Sequence, residues 1–127
     1  ATDLPDLGRI GKPNPYCICK VRGKRQAKFE TTVTSSTSSP VWEQSHEFEC
    51  LGEGDTLDFH ILHKEDGERR DRFLCVASLT SQYFLPHGFH GRLQLAPLEM
   101  HRVKKAHPAL DLKVCINGVA LKQADVV

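Results

Sequence analysis

The chain has 127 residues, one domain of ordinary size and long enough to bury a core without disulfide staples. Seventeen Lys and Arg oppose sixteen Asp and Glu, for a formal net charge of +1. That excludes the global positive field of a nucleic-acid-binding chain and leaves electrostatic function to local patches. At 39% hydrophobic residues the composition suits a thin, two-layer core. No apolar run approaches the roughly eighteen residues of a membrane span, and the opening Ala1-Thr2-Asp3-Leu4-Pro5 lacks the basic and apolar regions of a signal peptide.

The dominant period is two, the spacing of β-structure. In Tyr16-Cys17-Ile18-Cys19-Lys20-Val21-Arg22, Cys17, Cys19 and Val21 share one face, and Ile18, Lys20 and Arg22 the other. Gly23-Lys24-Arg25 reads as a polar turn. Lys28 to Thr34, rich in Thr, Val and Phe, reads as a strand. Thr34 to Pro40 is an uncharged Ser/Thr loop. Trp42, His46, Phe48 and Cys50 mark one face of the next strand, with His46 expected as a hydrogen-bonded core histidine. Leu57, Phe59 and Ile61 alternate with Asp58, His60 and Leu62. Lys64 to Asp71 is a charged loop and Phe73 to Leu79 a strand. Gly91 to Leu95 is a short extended piece, and Leu110 to Asn117 a last strand. Short helices are expected only near Leu79–Phe84 and Leu98–Lys105. The pattern predicts a single all-β domain over residues 1–127, an antiparallel sandwich of seven to eight strands.

The five cysteines, Cys17, Cys19, Cys50, Cys75 and Cys115, are odd in number and lack paired metal-ligand spacing. They read as small buried hydrophobes of a reduced, cytoplasmic compartment, except that Cys115 falls out of phase with the apolar face of its strand. No catalytic constellation and no Gly-rich phosphate loop appears, so a non-enzyme without cofactors is expected. His60 and His63 point to opposite faces and cannot chelate together.

Three blocks carry a family resemblance. Leu4-Pro5 with Gly11-Lys12-Pro13-Asn14-Pro15-Tyr16 is the first. Lys28-Phe29-Glu30-Thr31 with Ser39-Pro40-Val41-Trp42-Glu43 and Phe48 is the second. Leu57 to Ile61 with Asp71-Arg72-Phe73-Leu74 is the third. In this order and spacing, over roughly Leu4 to Leu79, the chain resembles a C2 domain. The resemblance implies an eight-stranded antiparallel sandwich with three loops at one end that hold calcium and touch lipid.

The positions that the resemblance assigns to calcium are Gly8, Asn14, His63, Glu65 and Asp71, and only Asp71 is the expected Asp. Asp6 and Asp66 lie nearby. Calcium needs several hard, negatively charged oxygens, whereas Lys64 to Arg72 carries four acids and four bases and neutralises itself. The site is therefore expected to be degenerate, with no metal bound. The family's second site is a basic strand face that binds phosphoinositide heads. Here it would comprise Lys20, Arg22, Lys24, Arg25 and Lys28, with Glu30 subtracting roughly 1 kcal/mol of attraction to an anionic surface.

These features predict a non-catalytic, calcium-independent module that docks to a protein partner within a larger assembly. Val76, Ile18 and Phe84 are expected as exposed contact residues. The alternatives are peripheral binding to anionic phospholipid through the basic face, and the regulatory portion of a lipid-acting or kinase enzyme. Nucleic acid is not expected as a partner. The resemblance also implies a strand before Leu4-Pro5, where only Ala1-Thr2-Asp3 stand. The chain is thus expected to be a fragment, or to have that sheet position filled by Val119 to Val127 or by another chain.

Overall fold

The period-two pattern is realised as two antiparallel sheets. The computed structural model describes residues 1–7, 11–48, 51–67, 70–98, 107–115 and 118–121. In chain order the elements are β1 (Pro15–Val21), β2 (Lys28–Glu30), β3 (Gln44–Glu47), β4 (Thr56–His63), β5 (Arg72–Thr80), α1 (Ser81–Phe84), β6 (Phe89–Gln94), β7 (Ala96–Pro97), β8 (Ala109–Cys115) and β9 (Gly118–Leu121). One sheet has the order β2-β1-β4-β5-β7 and the other β3-β9-β8-β6.

β4 organises the first sheet. It pairs with β1 along seven residues, from Pro15↔His63 to Val21↔Leu57. On its other side it pairs with β5 from Thr56↔Thr80 to His63↔Arg72, with a register shift between Ile61 and Leu62. Its inner residues Leu57, Phe59 and Ile61 are fully buried, as are Cys17 and Cys19 of β1. They meet Leu110, Leu112 and Val114 of β8 in one apolar core. Each such side chain contributes about 1.5–3 kcal/mol when removed from water.

Several sequence expectations change. Nine strands are described where seven to eight are expected. Ala96–Pro97 is too short to show a period, and Gly-Val-Ala-Leu of β9 has no polar alternation. The strand expected over Lys28 to Thr34 stops at Glu30. The Thr31 hydroxyl accepts the Cys17 N–H at 2.9 Å and donates to the Thr32 carbonyl, and the Ser/Thr loop follows. α1 falls inside the expected Leu79–Phe84 stretch, but Phe84 is fully buried rather than exposed. Its ring joins the core from a single helical turn. Most of the Leu98–Lys105 stretch lies outside the described residues, as do Gly8 and Cys50; the side chain of Cys115 does too.

β9 lies between β3 and β8, antiparallel to both. Thr2 forms an isolated antiparallel bridge to Ala109, at the start of β8. β9 thus includes Val119 to Leu121 of the segment expected at a sheet position, and residues 122–127 lie outside the described residues.

Because Phe59 is fully buried on the central strand, Phe59→Ala should cost about 3–5 kcal/mol. Urea unfolding should show a lower midpoint with an unchanged slope.

Candidate functional site

One end of the five-stranded sheet is where β1 begins, β4 ends and β5 begins. The pairings Pro15↔His63 and His63↔Arg72 place Asn14, His63, Lys64, Asp71 and Arg72 together there. The Lys64 N–H donates to the Asn14 carbonyl at 3.0 Å and ties the first loop to the third.

His63 is 3% exposed. Its Nδ1 accepts the Asn14 backbone N–H at 2.9 Å. That leaves Nε2 as the protonated nitrogen, 2.8 Å from Glu65 Oε1. Arg72 Nε stands 3.5 Å from the other Glu65 oxygen. Asp71 Oδ2 accepts from the Tyr16 hydroxyl at 2.5 Å and faces Lys64 Nζ at 3.6 Å. Asp71 Oδ1 accepts the Glu65 N–H at 3.0 Å. Asn14 Oδ1 accepts the Ser36 N–H at 2.7 Å. The structure therefore brings together four of the five expected calcium positions; the fifth, Gly8, lies outside the described residues. Every side-chain oxygen of Asn14, Glu65 and Asp71 is committed to a donor of the chain itself. A calcium ion takes six to eight oxygens at about 2.3–2.6 Å, and here an imidazole, a phenol, a guanidinium and an ammonium hold the carboxylates instead. Asp6 and Asp66 are exposed. Among the described residues, no group of three or more His, Cys, Asp or Glu side chains is arranged to hold a metal ion.

Burial opposes ionisation of Asp71, but the hydrogen bonds from Tyr16 and the Glu65 N–H, together with Lys64, outweigh it and hold the carboxyl below its ordinary range. The Tyr16 phenol is pushed up, first by burial and then by its bond to Asp71.

The basic face lies on the outer side of the same sheet. Gly23, at φ +81°, makes the turn after β1 that only glycine adopts without strain. The turn is closed by Lys24 N–H to Val21 O at 3.1 Å. It brings Lys24 and Arg25 beside Lys20 and Lys28, which face each other across β1 and β2. With Arg22 and Asp58 these residues line a shallow groove of about 680 Å³.

The five bases are not equivalent. Arg22 forks onto Asp58 through two bonds of 2.7 and 3.0 Å, and Ser78 donates to the same carboxylate at 2.6 Å. Lys24 reaches Asp55 at 3.2 Å. Lys20, Arg25 and Lys28 make no ion pair with a described residue. Burial opposes the charge on Asp58, but the bonds from Arg22 and Ser78 hold its carboxyl low.

Sequence reasoning missed Tyr16, Lys64 and Arg72 as the donors that close the loop network, and Asp58 as the partner of Arg22. In the sequence Asp58 is visible only as an outward position on β4, and its place beside Arg22 depends on the register. His46, expected as a hydrogen-bonded core residue, is half-buried. It stacks on Phe29 at 5.0 Å and meets Phe48 edge-on at 4.8 Å, so ring contact holds it. The buried cysteines Cys17, Cys19 and Cys75 are free. Burial pushes the Cys17 and Cys75 thiols up to about 12, which keeps them protonated and unreactive. No helix among the described residues is long and apolar enough to cross a membrane.

A family model described as the C2 domain matches residues 1–94. The fold is also similar to that of one C2 domain, the one lettered A, of a plant extended synaptotagmin 1, with a TM-score of 0.70. The match covers 100% of this chain and 90% of that one at 15% identity, a likeness of fold alone.

Two outcomes follow, one from the loop network and one from the carboxylates of Asp58 and Asp71. Asn14→Asp combined with His63→Asp adds two carboxylates beside Glu65 and Asp71. The double variant should lose thermal stability without calcium and regain it with calcium, by about 2.7 kcal/mol at a hundredfold excess over its Kd. A calorimetric scan checks this. Asp58 and Asp71 have depressed folded-state values, so they stabilise the fold above the ordinary carboxylate pKa. That contribution is lost as pH falls through the lower, folded values. Carboxyl carbon NMR should place both midpoints below 3.8, the ordinary value, and Tyr16→Phe should raise that of Asp71.

Proposed function

Because the chain belongs to the C2 domain family, whose members commonly bind lipid, calcium or protein, we propose that it is a calcium-independent, non-catalytic module that docks to a protein partner. The observation that carries this reading is the commitment of the Asn14, Glu65 and Asp71 oxygens to internal donors. A loop cage of this kind gains nothing from a divalent ion, because each ligand must first surrender a hydrogen bond or ion pair. Affinity then has to come from a surface that is present at all times. The free, buried, protonated thiols fit a module in a reducing cytoplasmic setting.

A second reading, peripheral binding to anionic phospholipid, is favoured by a separate observation. Lys20, Arg25 and Lys28 border one groove and spend their charge on no described neighbour. Each such base near an anionic surface adds roughly 1 kcal/mol. The role of a regulatory portion of a lipid-acting or kinase enzyme is compatible with either reading, since it places the chemistry outside these residues.

Vesicle co-sedimentation with and without calcium separates the readings. The module reading predicts no pelleting in either condition and no change in melting temperature at millimolar calcium. Calcium-dependent pelleting would contradict it. Calcium-independent pelleting abolished by Lys20→Glu with Lys28→Glu would establish the lipid reading in its place.

A further inference from the structure

The outer face of the five-stranded sheet resolves into rows when the pairing registers are followed across it. One row runs Lys28, Lys20, Asp58, Ser78. The next, two residues along each strand, runs Glu30, Ile18, His60, Val76, Ala96. Beyond it Leu62 pairs with Phe73. A row that carries Lys28 and Lys20, with its Asp58 paired to Arg22, therefore lies beside a row that is uncharged past the exposed Glu30 at its edge. Ile18 and Val76 are half-buried, and Phe73 is 50% exposed. The Phe73 ring meets His60 edge-on at 5.8 Å. Burial, and then Lys20, push the His60 imidazole down, so at neutral pH it adds aromatic surface and no charge. Among the described residues, the other exposed large hydrophobics, Val33, Val41 and Tyr83, lie outside the strands. Of the four, only Phe73 belongs to a sheet face.

We infer that this face is the docking surface and that its occupant is an acidic amphipathic helix of another protein. The helix lies across the strands, with apolar side chains on Ile18, His60, Val76 and Phe73 and carboxylates toward Lys20 and Lys28. The assignment rests on the module being a protein-docking one. Strands are about 4.8 Å apart and rows about 7 Å apart, so the two rows match the apolar stripe and one charged flank of a helix about 10 Å wide. Charge complementarity sets the sign of the partner, because the two lysines face outward without an ion partner among the described residues. A bilayer fits this face less well. Ile18 and Val76 are half-buried and only Phe73 among these side chains is well exposed, whereas a membrane-bound apolar surface has to reach about 5–10 Å into the headgroup and acyl boundary. A helix brings its own side chains down to them.

The test uses the full chain, isotope-labelled, with two synthetic helical peptides of the same Leu pattern, one carrying Glu and one Lys on the flanks. The Glu peptide should shift the amides of Ile18, Lys20, His60 and Val76, and the Lys peptide should not. Phe73→Ala, at an exposed site that leaves the core intact, should weaken Glu-peptide binding at least fivefold. Lys20→Glu with Lys28→Glu should weaken it at least tenfold. No shift with the Glu peptide, equal binding of both peptides, or shifts on another face would each overturn the assignment. So would anionic phosphatidylserine vesicles moving these amides while the Glu peptide does not. A calcium titration of the same sample separates the failures. A chain that ignores calcium and the Glu peptide loses only this surface, whereas a chain that binds calcium loses the module reading itself.

Discussion

The buried His63 imidazole bridges two loops, and one end of the sandwich is built around that bridge. Its two nitrogens join the backbone before β1 to the acidic side chain after β4, with Nδ1 accepting from Asn14 and Nε2 facing Glu65. A buried carboxylate needs either a cation or several donors. At this end of the sandwich the chain supplies donors. Arg72 at the start of β5 and Lys64 just past β4 complete the charge balance, and Tyr16 adds a phenol. The network ties the first loop to the third, a task that an ion could otherwise perform. These bonds hold that end of the sheet together with the chain's own groups.

Under the proposed reading, affinity comes from the sheet faces rather than from the loop tips. On the outer face of the larger sheet, charge is partly spent and partly held in reserve. The fork of Arg22 on Asp58, with Ser78 behind it, is internal architecture. Lys20, Lys28 and Arg25 make no ion pair with a described residue and border the same groove. Glu30, paired in register with Ile18, limits how negative a partner can usefully be on that side.

Much of the architecture is legible in the sequence because alternation is a physical demand on a half-buried strand. Leu57, Phe59 and Ile61 announce a buried face, and the structure buries them completely. Gly8 aside, the positions that the resemblance assigns to calcium meet in space, and their meeting follows from where strands start and stop. What is not legible depends on register. Nothing local says that Arg22 will face Asp58 or that Tyr16 will reach Asp71, some fifty-five residues away. Phe84 reads as exposed because a single turn of helix has too little periodicity to reveal its inner side. A hydrogen bond is expected at His46 because its stacking against Phe29 shows only once β2 and β3 are known to lie close together. β9 is hard to place because four small and apolar residues carry no face of their own.

The tautomer of His63 bears on all of this at once, and long-range nitrogen–proton NMR of the imidazole reads it with and without calcium. The expected result is a neutral ring protonated on Nε2 that is unchanged at millimolar calcium, together with unchanged Glu65 and Asp71 carboxyl shifts. A proton on Nδ1, or carboxyl signals that move with added calcium, would contradict a loop network closed by the chain's own donors.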